Sequence, residues 1–368
     1  MDIPLWKSAP VDVTIGTPFI FERGDQMNEV KGVVAVLGID LAKRVFALHG
    51  VDRDGKVVLK QVVSRSTLPR LIAQLPPCLI GMEACSGAHE WARQFAQHGH
   101  TVKLMAPVFV TAYRKAGKND DNDADAICEA VGRPNMRFVP VKTRAQQALL
   151  SLHRVRQGFV EERTGLINRL RGLLAEFGFV FAQRHGGLRA VPSALEGLPA
   201  LAKRAVDDLL EHLRTLNERI AAYDLEFKHL AAQDDAAKRI MTIPGVGPIT
   251  ALALVATLGN ARDFKNGRQL AAWLGLTPKQ HSSGGKIRLG PVTKHGDGYL
   301  RTLLVQGARA AMQHASRAQP TRLSRWATNL VTRRGYHKAN IALAAKNARI
   351  IWAILARGGE FQPHAAAA

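Results

Sequence analysis

The run Val33-Val-Ala-Val-Leu-Gly-Ile39, ending at Asp40, constrains the first third of the chain more than any other feature. A short, continuous, β-branched apolar stretch reads as a buried strand, here with a carboxylate at its end. Two further strand-like runs follow, Val45 to Gly50 and Lys56 to Val63, separated by the turn signal Asp52-Arg-Asp-Gly55. The pattern then alternates: a helix from Leu68 to Leu75, a strand from Cys78 to Met82 met directly by Glu83, and a helix from Ala88 to His98. A strand from Thr101 to Met105 and a helix from Asp123 to Val131 complete it.

Three antiparallel strands followed by alternating helices and strands is the order of a ribonuclease-H-like α/β fold. In that order Asp40 and Glu83 converge at one edge of a parallel pair, where α/β sheets place their sites. A third acidic cluster, Lys118-Asn-Asp-Asp-Asn-Asp-Ala-Asp-Ala126, opens the last helix, and Asp120 and Asp123, three apart, share a helical face. Carboxylates gathered this closely repel one another unless a hard cation neutralises them, and Mg²⁺ suits oxygen ligands and phosphate, with Mn²⁺ as a substitute. Two such ions can clamp the entering and leaving oxygens of a phosphoryl transfer. The bland alternative makes each acid a solvated strand end or helix start.

Charge separates the chain into thirds. Residues 1 to 145 hold 19 basic and 15 acidic side chains, residues 146 to 235 hold 12 of each, and residues 236 to 368 hold 20 basic against 3 acidic. The last third is a polyanion-binding surface, since a charge excess of this size fits beside phosphates whose counterions it displaces. The expected domains are an irregular tail over 1–30, a metal-binding catalytic domain over 31–145, a helical segment over 146–235 and a basic domain over 236–368. Cys78, Cys85 and Cys128 are odd in number and lack Cys-x-x-Cys spacing, against both a disulfide framework and a zinc site. No apolar run approaches a bilayer span and the first 25 residues show no signal-peptide pattern, so the expectation is a cytoplasmic chain.

In the neutral segment, Leu166, Ile167, Leu170, Leu173, Leu174 and Phe177 form one apolar stripe, ended by Gly178 and by Gly186-Gly187. Val206, Leu209, Leu213, Leu216, Ile220, Tyr223, Phe227 and Leu230 then alternate steps of three and four, a heptad seam. It makes either an intramolecular helical hairpin or a dimer interface; the 3.5-residue period favours a coiled-coil arm that pairs protomers. In the basic third, Ile243-Pro-Gly-Val-Gly-Pro-Ile-Thr250 has the form of a helix-hairpin-helix turn, whose glycines let backbone approach a phosphate. The stretch from Thr277 to His295 reads as a Gly-, Pro- and Ser-rich loop with His281 before the pair Ser282-Ser283 and Lys286 and Arg288 after it. A serine there can be held against a phosphate, although Ser-Ser-Gly-Gly is equally an ordinary flexible loop. Candidate nucleic-acid contacts are Gly245, Gly247, Lys279, Lys286, Arg288, Lys294, Arg301, Arg333, Arg334 and Lys338.

Taken in order, Gly38-Ile-Asp40, Gly81-Met-Glu-Ala-Cys-Ser-Gly-Ala-His89, the Lys118–Ala130 cluster, Ile243–Pro248 and Trp273-Leu-Gly-Leu-Thr-Pro-Lys-Gln-His-Ser-Ser-Gly-Gly285 resemble the DEDD-type transposases of bacterial insertion sequences, relatives of the pilin-gene invertase Piv. The resemblance runs from about residue 33 to 357. It implies a RuvC-like domain whose four acids, Asp40, Glu83, Asp120 and Asp123, bind Mg²⁺, and a C-terminal transposase domain whose nucleophile falls on Ser283, with Ser282 alongside. It further implies donor and target DNA, a structured noncoding bridge RNA as guide, and a dimer assembling to a tetramer in the synapse. The competing classes are a metal-dependent junction nuclease and a non-enzymatic nucleic-acid-binding protein.

Overall fold

The computed structural model describes residues 30–114, 120–181, 196–315 and 321–363; the expected tail and the Gly186-Gly187 break lie outside them. Two compact units divide the chain between Val141 and Lys142.

The first unit is built on a six-stranded sheet ordered β3-β2-β1-β4-β5-β6. β1 (Val36–Leu41), β2 (Val45–Val51) and β3 (Val57–Ser64) form an antiparallel meander. β4 (Leu79–Glu83) lies parallel to β1, β5 (Thr101–Met105) parallel to β4, and the short β6 (Phe138–Val139) antiparallel to β5. Side chains alternate across a pleated strand, and the two faces of β1 and β4 carry different jobs. Leu37, Ile39, Ile80 and Met82 point into a core closed by α1 (Leu68–Gln74) and α2 (Ala88–Gln97), where Phe46 meets Trp91 edge-on at 5.5 Å. The opposite face carries Val36, Gly38 and Asp40 on β1 and Leu79, Gly81 and Glu83 on β4. α4 (Asp120–Val131), which follows the one-turn α3 (Pro107–Val110), covers that face, packing Ile127, Ala130 and Val131 against Val36 and Leu79.

Gly38 and Gly81 decide how close α4 comes. A Cβ on Gly38 would stand 2.2 Å from the Ala124 carbonyl oxygen and 2.5 Å from the Cys128 amide nitrogen; one on Gly81 would stand 2.8 Å from Val131 Cβ. The helix rests backbone to backbone on the sheet. α4 starts at Asp120, three residues earlier than expected, so its first turn hangs over the strand ends.

The second unit opens with α5 (Arg144–Ala175), started by a capping box in which Thr143 Oγ1 accepts from the Gln146 amide and the Gln146 side chain accepts from the Thr143 amide. α6 (Ala200–Gln233) packs against it antiparallel, with Arg156 Nε donating to Asp224 Oδ1 at 2.5 Å and His212 Nε2 lying 2.8 Å from Glu162 Oε1. The heptad seam therefore lies within one chain: Val206, Leu216, Ile220 and Phe227 are buried and Leu209, Leu213, Tyr223 and Leu230 half-buried. Of the two readings of the 3.5-residue period, these residues form the intramolecular helical hairpin. A seam of that period needs an apolar partner helix, and the Leu166–Leu170–Leu174 stripe of α5 supplies one.

The foot of the hairpin is continuous with the C-terminal core, since Phe227 and Ala231 pack with Ile240, Leu252, Leu254, Leu300 and Ile351. That core forms around α8 (Pro248–Leu258), reached through α7 (Asp235–Met241) and followed by α9 (Gly267–Trp273), α10 (Gly298–Ala315), α11 (Arg322–Arg334) and α12 (Tyr336–Arg357). α12 is long and apolar enough to cross a membrane by composition, yet half of its most apolar window is buried and Leu343, Ala344, Ala348 and Ile351 pack in the core. Thr277 to His295 is not the expected loop: β7 (Pro278–Gln280) and β8 (Leu289–Val292) pair antiparallel.

His153 of α5 sits 1% exposed in this unit, its ring stacked on Phe227 at 4.2 Å and its Nδ1 3.0 Å from the Tyr299 hydroxyl. Burial first, then the Arg156 charge, push its pKa down to about 4. The unfolded chain, with an ordinary histidine near 6.5, binds the proton that the folded chain refuses. Stability from this site is thus complete above about pH 6.5 and is lost as pH falls toward 4, by at most about 3 kcal/mol. Urea unfolding of the wild type and of His153→Phe across this range should show that slope only in the wild type.

A second expectation concerns the sheet–helix contact. Gly38→Ala forces α4 off the sheet and should cost about 1–3 kcal/mol, whereas Gly132→Ala, with open space around its Cα, should leave the first unit's unfolding midpoint near that of the wild type. Trp91 fluorescence during urea unfolding measures both.

Candidate active site

Asp40 and Glu83 sit one step beyond the Ile39–Met82 pair at the C-terminal ends of adjacent parallel strands, on the face covered by α4. Asp123, in the first turns of α4, completes the described part of the cluster. The electrostatics register this convergence. The Glu83 carboxyl is raised above its ordinary value by burial, then by the negative charges of Asp40 and Asp123, with Arg114 partly offsetting them. Arg114 Nη1 donates to Asp123 Oδ1 at 3.2 Å. The neighbouring Asp125 has its Oδ1 3.5 Å from His49 Nε2. The backbone of Asp120 opens α4, and its side chain lies outside the described residues.

Among the described residues, no group of three or more His, Cys, Asp or Glu side chains is close enough to hold a metal ion. The donor chemistry nevertheless fits a hard divalent cation. Every candidate is a carboxylate, and Glu83 faces the negative charges of Asp40 and Asp123, which Arg114 only partly offsets.

In the second unit, the strands of the β7–β8 hairpin narrow to a tip closed by Ser283 and Lys286, which form an isolated bridge with the Lys286 amide donating to the Ser283 carbonyl at 3.0 Å. Gly284 and Gly285, the two central residues, have φ of 55° and 75°, positive at both positions as a type I′ turn requires. Glycine at these two places lets the strands meet so tightly. The two serines are thereby distinguished. Ser282 Oγ accepts from Gln280 Nε2 at 3.1 Å and from the Arg288 amide at 3.2 Å, while the exposed Ser283 hydroxyl has no hydrogen-bond partner among the described residues.

Lys279, Lys286, Arg288 and Lys294 are exposed on or beside the hairpin, as are Arg333, Arg334 and Lys338 around the α11–α12 turn. Two other candidate contacts have internal tasks. Arg301 Nη1 donates to the carbonyls of Leu274 at 3.2 Å and His295 at 3.1 Å, pinning the hairpin's base. Gly245 meets Gly307 of α10 backbone to backbone, a Cβ on either standing about 2 Å from the other's carbonyl oxygen. Gly247 stays open at the start of α8. Sequence reasoning missed Arg114, His49 and Gln280, because a lone arginine, histidine or glutamine carries no spacing signal.

Acids at the ends of parallel strands in a mixed sheet, joined in one chain to a strongly basic helical unit, define a class of polynucleotide-processing enzymes. The sequence pattern described as a DEDD transposase of the IS110 type matches residues 37–179, and that described as "Transposase IS116/IS110/IS902 family" matches residues 237–322. The chain belongs to this transposase family. Its relatives include a "Probable family 20 transposase" of Pseudomonas aeruginosa, 47% identical over 335 residues that cover 89% of this chain and 98% of that protein. The "Transposase for insertion sequence element IS1111A" of Coxiella burnetii is 41% identical over 91% of this chain and 92% of its own. The "Transposase for insertion sequence element IS1328" of Yersinia enterocolitica is 40% identical over 89% and 98%.

A β-branched residue at positive φ costs about 1–2 kcal/mol, so Gly284→Val/Gly285→Val should open the tip. Hydrogen exchange of the Lys286 amide, read by mass spectrometry, should speed up markedly; exchange at the wild-type rate would mean the turn does not depend on these glycines.

Proposed function

We propose that this transposase cuts and rejoins the DNA of its insertion sequence through Ser283, with a divalent cation, Mg²⁺ or Mn²⁺ in its place, held by Asp40, Glu83, Asp120 and Asp123. The observation that carries this reading is the pairing of features within one family member. Three acids converge at the sheet's edge, and a serine hydroxyl with no partner among the described residues stands at the tip of a two-glycine turn. When bound, the cation would neutralise the scissile phosphate and polarise it toward attack.

The chain's own residues do the rest. Ser283 Oγ forms the bond to phosphorus, the bond to the departing strand's sugar oxygen breaks, the serine proton is lost, and the sugar oxygen takes up a proton. The phosphoserine ester conserves the phosphodiester, so a second DNA end can reverse the attack without an external energy source. Lys286 and Arg288 flank the tip and offset charge building on the phosphate. Ser282 has a different task, holding the Arg288 amide. A structured noncoding bridge RNA as guide, and a dimer assembling to a tetramer, follow from the family resemblance; the 20 basic against 3 acidic residues after residue 235 agree with a polyanionic partner.

Mass spectrometry of the adduct trapped on a nicked transposon-end duplex tests this. Phosphate on Ser283, lost in Ser283→Ala and in Asp40→Asn but retained in Ser282→Ala, is the expected result. Cleavage without any adduct would make the protein a water-activating nuclease, and phosphate on Ser282 or Tyr299 would move the nucleophile.

A further inference from the structure

α12 and the segment after it form an open groove lined by Lys346, Arg349, Ile350, Ala353, Arg357 and Phe361. Lys346, Arg349 and Arg357 fall at steps of three and eight, on one helical face about 16 Å long at 1.5 Å per residue. The far wall is fixed, for the Phe361 amide donates to Thr242 Oγ1 at 2.9 Å and Arg262 Nε donates to the Ala356 carbonyl at 3.2 Å.

The cations here are matched by aromatic rings instead of acids. Lys346 Nζ lies 4.2 Å from the Trp326 ring centroid and the Arg357 guanidinium 5.3 Å from that of Trp352. Among the described residues, neither these two nor Arg349 nor the nearby Arg322 forms an ion pair with a carboxylate. Glu360, exposed on the rim, is the one acid in the lining. The Lys346 ammonium is held below its ordinary pKa by partial burial, then by the charges of Arg349 and Arg322. Crowded like charges over an apolar floor are unfavourable in the free protein, and an anion would relieve them.

We infer that this groove binds one sugar–phosphate strand of duplex DNA, with Lys346, Arg349 and Arg357 on its phosphates and Ile350 and Ala353 against the deoxyribose. The floor favours DNA because a ribose 2′-hydroxyl, both donor and acceptor, would meet only hydrocarbon at Ile350 and Ala353, while the polar Glu360 and Gln362 belong to the segment after the helix. The surface is separate from the hairpin that carries Ser283, and the inference rests on the proposed action on DNA.

Fluorescence anisotropy with a 30-base-pair duplex, titrated from about 50 to 300 mM salt, tests it. Arg349→Gln and Arg357→Gln, both at exposed positions, should each weaken binding several-fold and lower the slope of log K against log salt by about 1. Lys346→Gln should do the same and Lys346→Arg should restore it, with melting temperatures reporting intact folds. Unchanged affinity and slope in the variants, with wild-type binding normal, would overturn the groove while leaving the proposed function standing. A loss seen on an RNA duplex but not on DNA, or equally on both, would overturn the assignment to DNA. Failure of the wild type to bind DNA would instead count against the proposed function itself.

Discussion

The site in the first unit depends on one contact, the backbone of α4 lying against Gly38 and Gly81. Any larger residue at those positions would meet the Ala124 carbonyl, the Cys128 amide or the Val131 side chain at distances no side chain tolerates. Because side chains alternate along a strand, the glycine two residues before each acid lies on the acid's own face. Gly38 precedes Asp40 and Gly81 precedes Glu83, so the device that seats the helix also turns both carboxylates beneath its first turns. Asp123 then arrives with the helix, and burial, followed by the charges of Asp40 and Asp123, raises the Glu83 pKa.

The second unit uses the same device for another end. Gly245 and Gly307 bring the α7–α8 turn onto α10, and Gly275 and Gly296 let the chain leaving the hairpin cross the backbone of Trp273 to Gly275. Arg301 fixes that crossing from α10. The hairpin therefore projects from a clamped base and ends in a turn closed by the Ser283–Lys286 bridge. A weak nucleophile such as a serine hydroxyl gains most from being held in this way, since positioning replaces entropy that the reaction would otherwise lose.

The sequence made the first unit legible to within a few residues, because buried strands and their turns leave strong local patterns. Asp40 and Glu83 could be placed at one edge from strand order alone. The hairpin was not legible: Pro278-Lys-Gln280 and Leu289-Gly-Pro-Val292 are too short and too exposed to alternate, and the turn glycines look the same in a flexible loop. The heptad seam was visible, but a period does not say whose helix covers it; α5 does, through contacts some 50 to 70 residues away in sequence. Arg301 and Gly245 looked like phosphate contacts because cations and glycines in a basic region suit that role, and their internal partners lie on other elements. None of these pairings has a local signal.

The claim on which the account turns is that the carboxylates gathered by Gly38 and Gly81 hold a divalent cation. Iron-directed backbone cleavage tests it directly. Fe²⁺ supplied with ascorbate and peroxide makes hydroxyl radicals where it binds, and the cut fragments can be mapped by mass spectrometry. The account predicts cuts around Asp40, around Glu83 and in the first turns of α4, all suppressed by excess Mg²⁺. Cuts confined to other parts of the chain, or cuts at these three places that Mg²⁺ does not suppress, would contradict it.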